Sequence, residues 1–124
     1  RKHAYEALLA LEKLHPEVSP ILFVTEIRSI AADELWLSPA YKQDVIAFHF
    51  TWKPETEKVM AVLPKVEAAL KPFNYMPHWG KIFTIAPADL QSRYPKFKDF
   101  VALAKEMDPA GKWKNGFLER NIYS

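Results

Sequence analysis

An α+β fold, in which helices cover one face of an antiparallel sheet and an irregular helical segment follows, is predicted by three observations. Apolar residues recur at helical spacing before Pro16 and again after Pro54. Between them, the runs Pro20 to Ile30 and Asp44 to Trp52 alternate side chains with the period of two that belongs to strands. After Phe73 the periodicity weakens. The core order is helix, strand, strand, helix, a layer in which the helices bury the apolar face of the strand pair.

In the first helix Ala7, Leu8, Leu11 and Leu14 share a face. His15-Pro16 sets its boundary, because proline disfavours helical geometry in the residue before it. His3 and His15 are expected at its surface. On strand one, Ile21, Phe23, Thr25 and Ile27 point one way, and on strand two Ile46, Phe48, Phe50 and Trp52 form a nearly pure apolar stripe, the expected core side. The aromatic loop Asp33 to Lys42 is expected to pack down, with Trp36 and Trp52 in the core. The next helix begins near Pro54 and buries Val59, Val62, Leu63, Val66 and Leu70, with Pro64 as the site of a kink. A short helix is expected after Pro87 and a clearer one after Pro95, carrying Phe97, Phe100, Val101 and Ala104. Asp108-Pro109-Ala110-Gly111 then suits a type I turn, with proline second and glycine fourth. The tail from Lys112 is aromatic and basic, and Trp113 and Phe117 are expected to dock.

Residues 1–124 read as a single domain, long enough to bury a core, with 49% of the chain apolar. The formal charge of +2 is spread over mixed-sign runs, so nucleic-acid binding has little electrostatic support. No apolar run reaches the roughly 18 residues of a membrane span. With no cysteine, there are no disulfides, thiolate nucleophiles or cysteine metal sites, and the expected location is cytoplasmic. Three glycines are too few for a nucleotide-cradling loop. The chain opens Arg1-Lys2-His3 without an initiator methionine, and it reads as a piece of a longer protein.

The second face of the strand pair carries the chemistry. It begins with Leu22, Val24, Val45 and Ala47 and becomes Glu26, Arg28, His49 and Thr51, a greasy floor leading into a charged patch. With His78-Trp79-Gly80-Lys81 added, five hydrogen-bonding or ionisable groups, Glu26, Arg28, His49, Thr51 and Lys81, could converge on one small polar ligand. The bland alternative is the solvated side of a sheet, with Glu26 and Arg28 an ordinary exposed ion pair and His49 a satisfied core histidine. His78 and Lys81 have no Cys or acidic companion at metal spacing, so no metal site is expected.

Pro77-His78-Trp79-Gly80-Lys81, followed after a gap by Asp108-Pro109-Ala110-Gly111-Lys112-Trp113-Lys114-Asn115, resembles the C-terminal end of FAD-linked sugar-alcohol and aldonolactone oxidases. Glu26-x-Arg28, the stretch Ala32 to Pro39 and His49-Phe50-Thr51-Trp52 resemble the alditol (xylitol) oxidase branch of that family, which shares the vanillyl-alcohol-oxidase flavoprotein architecture. The resemblance covers essentially the whole chain. It implies a C-terminal cap and substrate segment whose FAD-binding domain is absent, so that the flavin is held mainly by that domain and the segment alone is inactive. It implies that Glu26, Arg28 and Thr51 bind the hydroxyls of a linear polyol, that His49 and Lys81 surround the carbinol being oxidised, and that His78 contacts the flavin. Met76 departs from the pattern, since family members often carry arginine just ahead of the Pro-His-Trp stretch. The alternatives are an aldonolactone oxidase segment, or a sugar- or protein-binding module without catalysis.

Overall fold

A computed structural model describes residues 2–124. Two short helices, α1 (Ala4–Glu12) and α2 (His15–Val18), lead through a single tight turn into β1 (Leu22–Ile30). The antiparallel partner β2 (Val45–Trp52) is followed by the long helix α3 (Thr56–Leu70). Beyond an extended segment come α4 (Pro87–Ser92), α5 (Phe97–Met107) and α6 (Gly116–Leu118), which runs on as a π-helical turn over Glu119–Tyr123. This is the α+β arrangement predicted, with one two-stranded sheet among the described residues.

Pro16 starts a helix rather than ending one. It lies in the first turn of α2, where a missing N–H breaks no intrahelical bond, and α1 has already stopped at Glu12. Pro64 lies inside α3, which runs unbroken from Thr56 to Leu70.

The apolar side of the ribbon meets α3 at its base. Val18, Ile21, Val59, Val62 and Val66 are buried together, and Leu11, Leu14, Leu22, Phe50, Trp52 and Leu70 pack around them. Phe50 and Trp52, two apart on β2, stack with centroids 5.2 Å apart and planes 5° apart. Each fully buried aliphatic side chain of this kind contributes about 1.5–3 kcal/mol.

Two sequence expectations about the ribbon fail, for one physical reason each. The register jumps between Leu22, opposite Trp52, and Val24, opposite Thr51, so Phe23 is an extra residue in a bulge. The slip turns Leu22 onto the core face and leaves Phe23 67% exposed. Ile27 keeps its face, opposite Phe48, but lies outside the α3 cluster and is 53% exposed.

A second cluster buries Leu90, Tyr94, Phe97 and Ile122, drawing on α4, α5 and the C-terminal helix. Trp79 packs at its edge against Tyr94, Phe83 and Phe117. The tail is therefore helical, a feature its aromatic composition did not announce. Its start is legible in retrospect, because the Asn115 side chain accepts the Leu118 N–H at 2.9 Å, an N-cap bond. Phe117 docks as expected, but Trp113 is 79% exposed and Trp36 37% exposed, contrary to expectation. The turn before Trp113 is held through the main chain: the Asp108 carboxylate accepts the N–H groups of Lys112 and Trp113, and Gly111 takes φ +64°. That leaves the indole pointing outward.

Candidate active site

Strand pairing sets Glu26 directly opposite His49, and opposite residues of an antiparallel pair share a face. The Glu26 carboxylate oxygen Oε2 accepts hydrogen bonds from the Arg28 guanidinium and, at 3.2 Å, from His49 Nδ1. An ionised carboxylate only accepts, so Nδ1 carries the hydrogen, and in the neutral ring Nε2 then presents its lone pair. Arg28 lies opposite Ala47, whose methyl group leaves the guanidinium room. The His49 carbonyl in turn accepts the Thr25 hydroxyl at 2.8 Å. Hydrogen bonding from His49, followed by the charge of Arg28, holds the Glu26 carboxyl below the usual carboxylate range. Thr51 occupies the same face, opposite Val24, and is exposed.

His78 and Lys81 are built differently. Lys81 N–H donates to the His78 carbonyl at 3.0 Å, closing a tight turn. Gly80 N–H donates to His78 Nδ1 at 3.0 Å, so this imidazole keeps its hydrogen on Nε2. A Cβ at position 80 would lie 3.3 Å from His78 Cε1, which crowds the ring. Trp79 points inward between them and donates its indole N–H to Leu37 O at 3.0 Å, while Lys81 remains exposed.

The fold thus joins Glu26, Arg28 and His49 in one hydrogen-bonded group and puts Thr51 on their face. It carries His78 and Lys81 on a separate turn, and among the described residues no hydrogen bond or ion pair links that turn's side chains to the ribbon's. A hollow of about 1040 Å³ lies over α4, α5 and the C-terminal helix, and another of about 370 Å³ beside Ile21 and Val62; no candidate residue lines either. The candidate groups occupy an open face. Met76, the departure noted in the sequence, packs against the second cluster. Among the described residues, no group of three or more His, Asp or Glu could hold a metal ion.

The sequence model of the D-arabinono-1,4-lactone oxidase family matches residues 1–121. The chain belongs to that family. Over 118 residues, 95% of this chain, it is 48% identical to an alditol oxidase from a Streptomyces species. It is 30% identical over 104 residues, 82% of this chain, to the L-gulonolactone oxidase of Scyliorhinus torazame. It is also 32% identical over 123 residues, 97% of this chain, to an L-gulono-1,4-lactone dehydrogenase of Mycobacterium tuberculosis. The chain spans 28%, 24% and 28% of the length of these three relatives. Its match to the alditol oxidase falls in the C-terminal part of that protein. Members of this oxidase family are oxidoreductases acting on CH–OH donors.

Glu67 and Arg93 were not singled out by sequence reasoning, although they hold the ends of the loop that carries His78 and Lys81. A signal was present: Glu67 falls four residues after Leu63 and three before Leu70, a carboxylate beside the apolar stripe of α3. Among the described residues, no helix is long and apolar enough to cross a membrane.

Proposed function

We propose that this chain is the C-terminal, substrate-facing segment of an FAD-dependent alditol oxidase, which converts a primary alcohol of a xylitol- or sorbitol-type polyol to an aldehyde and passes the electrons to oxygen, forming hydrogen peroxide. The observation that carries the reading is the Glu26 carboxylate bonded at once to Arg28 and His49 on one strand face, in a chain 48% identical to an alditol oxidase over 118 residues.

Oxidising a carbinol removes hydride from carbon and a proton from oxygen. FAD, when bound, supplies the hydride acceptor. The residues of this chain handle the hydroxyls and the proton. His49 Nε2, its lone pair directed outward by the Nδ1 bond to Glu26, is the base that takes the hydroxyl proton. The exposed Lys81 ammonium stabilises developing negative charge on the same oxygen. Arg28 donates to substrate oxygens, Glu26 accepts from substrate hydroxyls and Thr51 does either. A substrate lacking those hydroxyls leaves these groups unpaired once the face is covered.

The donor set here fits one edge of a flavin and no more. His78 Nε2–H offers a hydrogen bond to an acceptor on the ring, whereas three glycines and no glycine-rich loop provide no cradle for a pyrophosphate. The FAD-binding domain is therefore this segment's own partner, the open face around Glu26 is closed by it, and the isolated segment turns over no substrate. The cysteine-free composition suits the cytoplasm.

A second reading, an aldonolactone oxidase segment, is favoured by the family description and by the gulonolactone relatives. In the full-length protein, Lys81→Ala is expected to abolish flavin reduction by xylitol or sorbitol while FAD content stays at the wild-type level, followed by rapid-mixing absorbance of the flavin. Reduction at the wild-type rate in that variant removes Lys81 from the chemistry.

A further inference from the structure

We propose that Glu67 on α3 is the positioning residue for the reactive turn, closing with Arg93 a clasp on the two ends of the loop that carries His78 and Lys81. The inference rests on the roles proposed for those two side chains.

Between Asn74 and Ala86 the chain forms no helix or strand, so its shape depends on bonds made by side chains and turns. At the far end, Glu67 grips Thr84 twice: Oε1 accepts the Thr84 N–H at 2.6 Å, and Oε2 accepts the Thr84 hydroxyl at 2.6 Å. At the near end, the Arg93 guanidinium donates to the Tyr75 carbonyl and lies 4.6 Å from the centroid of the Tyr75 ring. Burial and then the Glu67 charge push the Tyr75 phenol up to about 12. Midway, the Trp79 indole bond to Leu37 fixes the inward side of the turn.

The placement of Glu67 is informative in itself. Half-buried at the edge of the stripe that includes Leu63 and Leu70, its carboxylate sacrifices hydration that an outward-facing position would keep. Two charge-assisted bonds offset that loss, and both are spent on one residue of the loop. The loop bears the Lys81 ammonium and the His78 imidazole, which in the proposed function face the reacting oxygen and the flavin ring. A displacement there of about 1 Å is enough to slow chemistry on the order of a hundredfold.

The test uses the full-length protein. Glu67→Gln keeps the shape but replaces one acceptor oxygen with an NH₂ donor, and Thr84→Val removes only the hydroxyl bond. In both, amide hydrogen exchange across residues 75–84 is expected to run about tenfold faster while the β1–β2 ribbon exchanges as before. The rate of flavin reduction by polyol is expected to fall about tenfold, with the polyol Kd within about twofold, since Glu26, Arg28 and Thr51 are untouched. Unchanged exchange across 75–84 overturns the clasp. Faster exchange with an unchanged reduction rate overturns the positioning role. If Glu67→Gln loosens the whole chain, Thr84→Val decides by the same two readings. If the wild-type flavin is not reduced by polyol at all, the proposed function falls, and exchange across 75–84 still decides whether the clasp exists.

Discussion

At the residue scale the site turns on a single carboxylate. Glu26 is exposed, so its bonds to Arg28 and His49 add little to stability, and their value lies in orientation. His49 is left with Nδ1 committed, so that in the neutral ring Nε2 is available for the proposed role of proton acceptor. His49→Phe is expected to raise the Glu26 pKa toward that of an ordinary glutamate, because the largest cause of the depression is removed. A depressed carboxylate contributes above its unfolded-state pKa and loses that contribution as pH falls through the folded value. The Glu26 contacts should therefore persist at neutral pH and release only in acid. Carbon-13 titration of the glutamate carboxyls checks this, and an unmoved Glu26 value in the variant contradicts it.

At the scale of elements, the stripe of α3 and the pairing of β1 with β2 were legible because both follow from simple periods. That Glu26 and His49 share a face followed from the same alternation, whereas their direct opposition is set by the register. The bulge at Phe23 was not legible: a strand with apolar residues on both faces at its start accepts either register there, and pairing across the ribbon decides. The tail helix was hidden for a similar reason, since its buried face is completed by α4 and α5 rather than by its own pattern. His78 and Lys81 carried no periodic signal; their residue types made them candidates, and resemblance to a family supplied their roles. In the second cluster the Tyr94 hydroxyl is buried with no hydrogen-bond partner among the described residues, the neighbouring Trp79 N–H being spent on Leu37. Burial pushes the Tyr94 pKa up to about 12. A group raised on folding stabilises below its unfolded value and loses that contribution as pH rises through the folded one. This cluster should weaken from about pH 10 upward. Tyr94→Phe is expected to raise stability by about 1 kcal/mol at neutral pH and to blunt that alkaline loss, read by thermal unfolding across the pH range.

For the whole molecule, the proposed function bears on choice of substrate. A face that offers a carboxylate, a guanidinium and a hydroxyl in a row suits a chain of hydroxyls better than a closed lactone with fewer donors. The full-length protein is expected to show a higher kcat/KM for xylitol or sorbitol than for galactonolactone, by about tenfold or more, the scale set by leaving buried polar groups unpaired. Steady-state peroxide formation over a panel of both classes measures it. The reverse preference would move the chain to the lactone branch of its family. The higher identity to an alditol oxidase, 48% against 30% to a gulonolactone oxidase, favours the polyol outcome of that test.

The bond from the Trp79 indole to the Leu37 carbonyl has one further consequence. Leu37 belongs to the connection between the two strands, and Trp79 belongs to the segment bearing the ammonium. On the roles proposed above, a change in the strand-to-strand connection at Leu37 is transmitted to the Lys81 turn through an indole, without passing through the ligand.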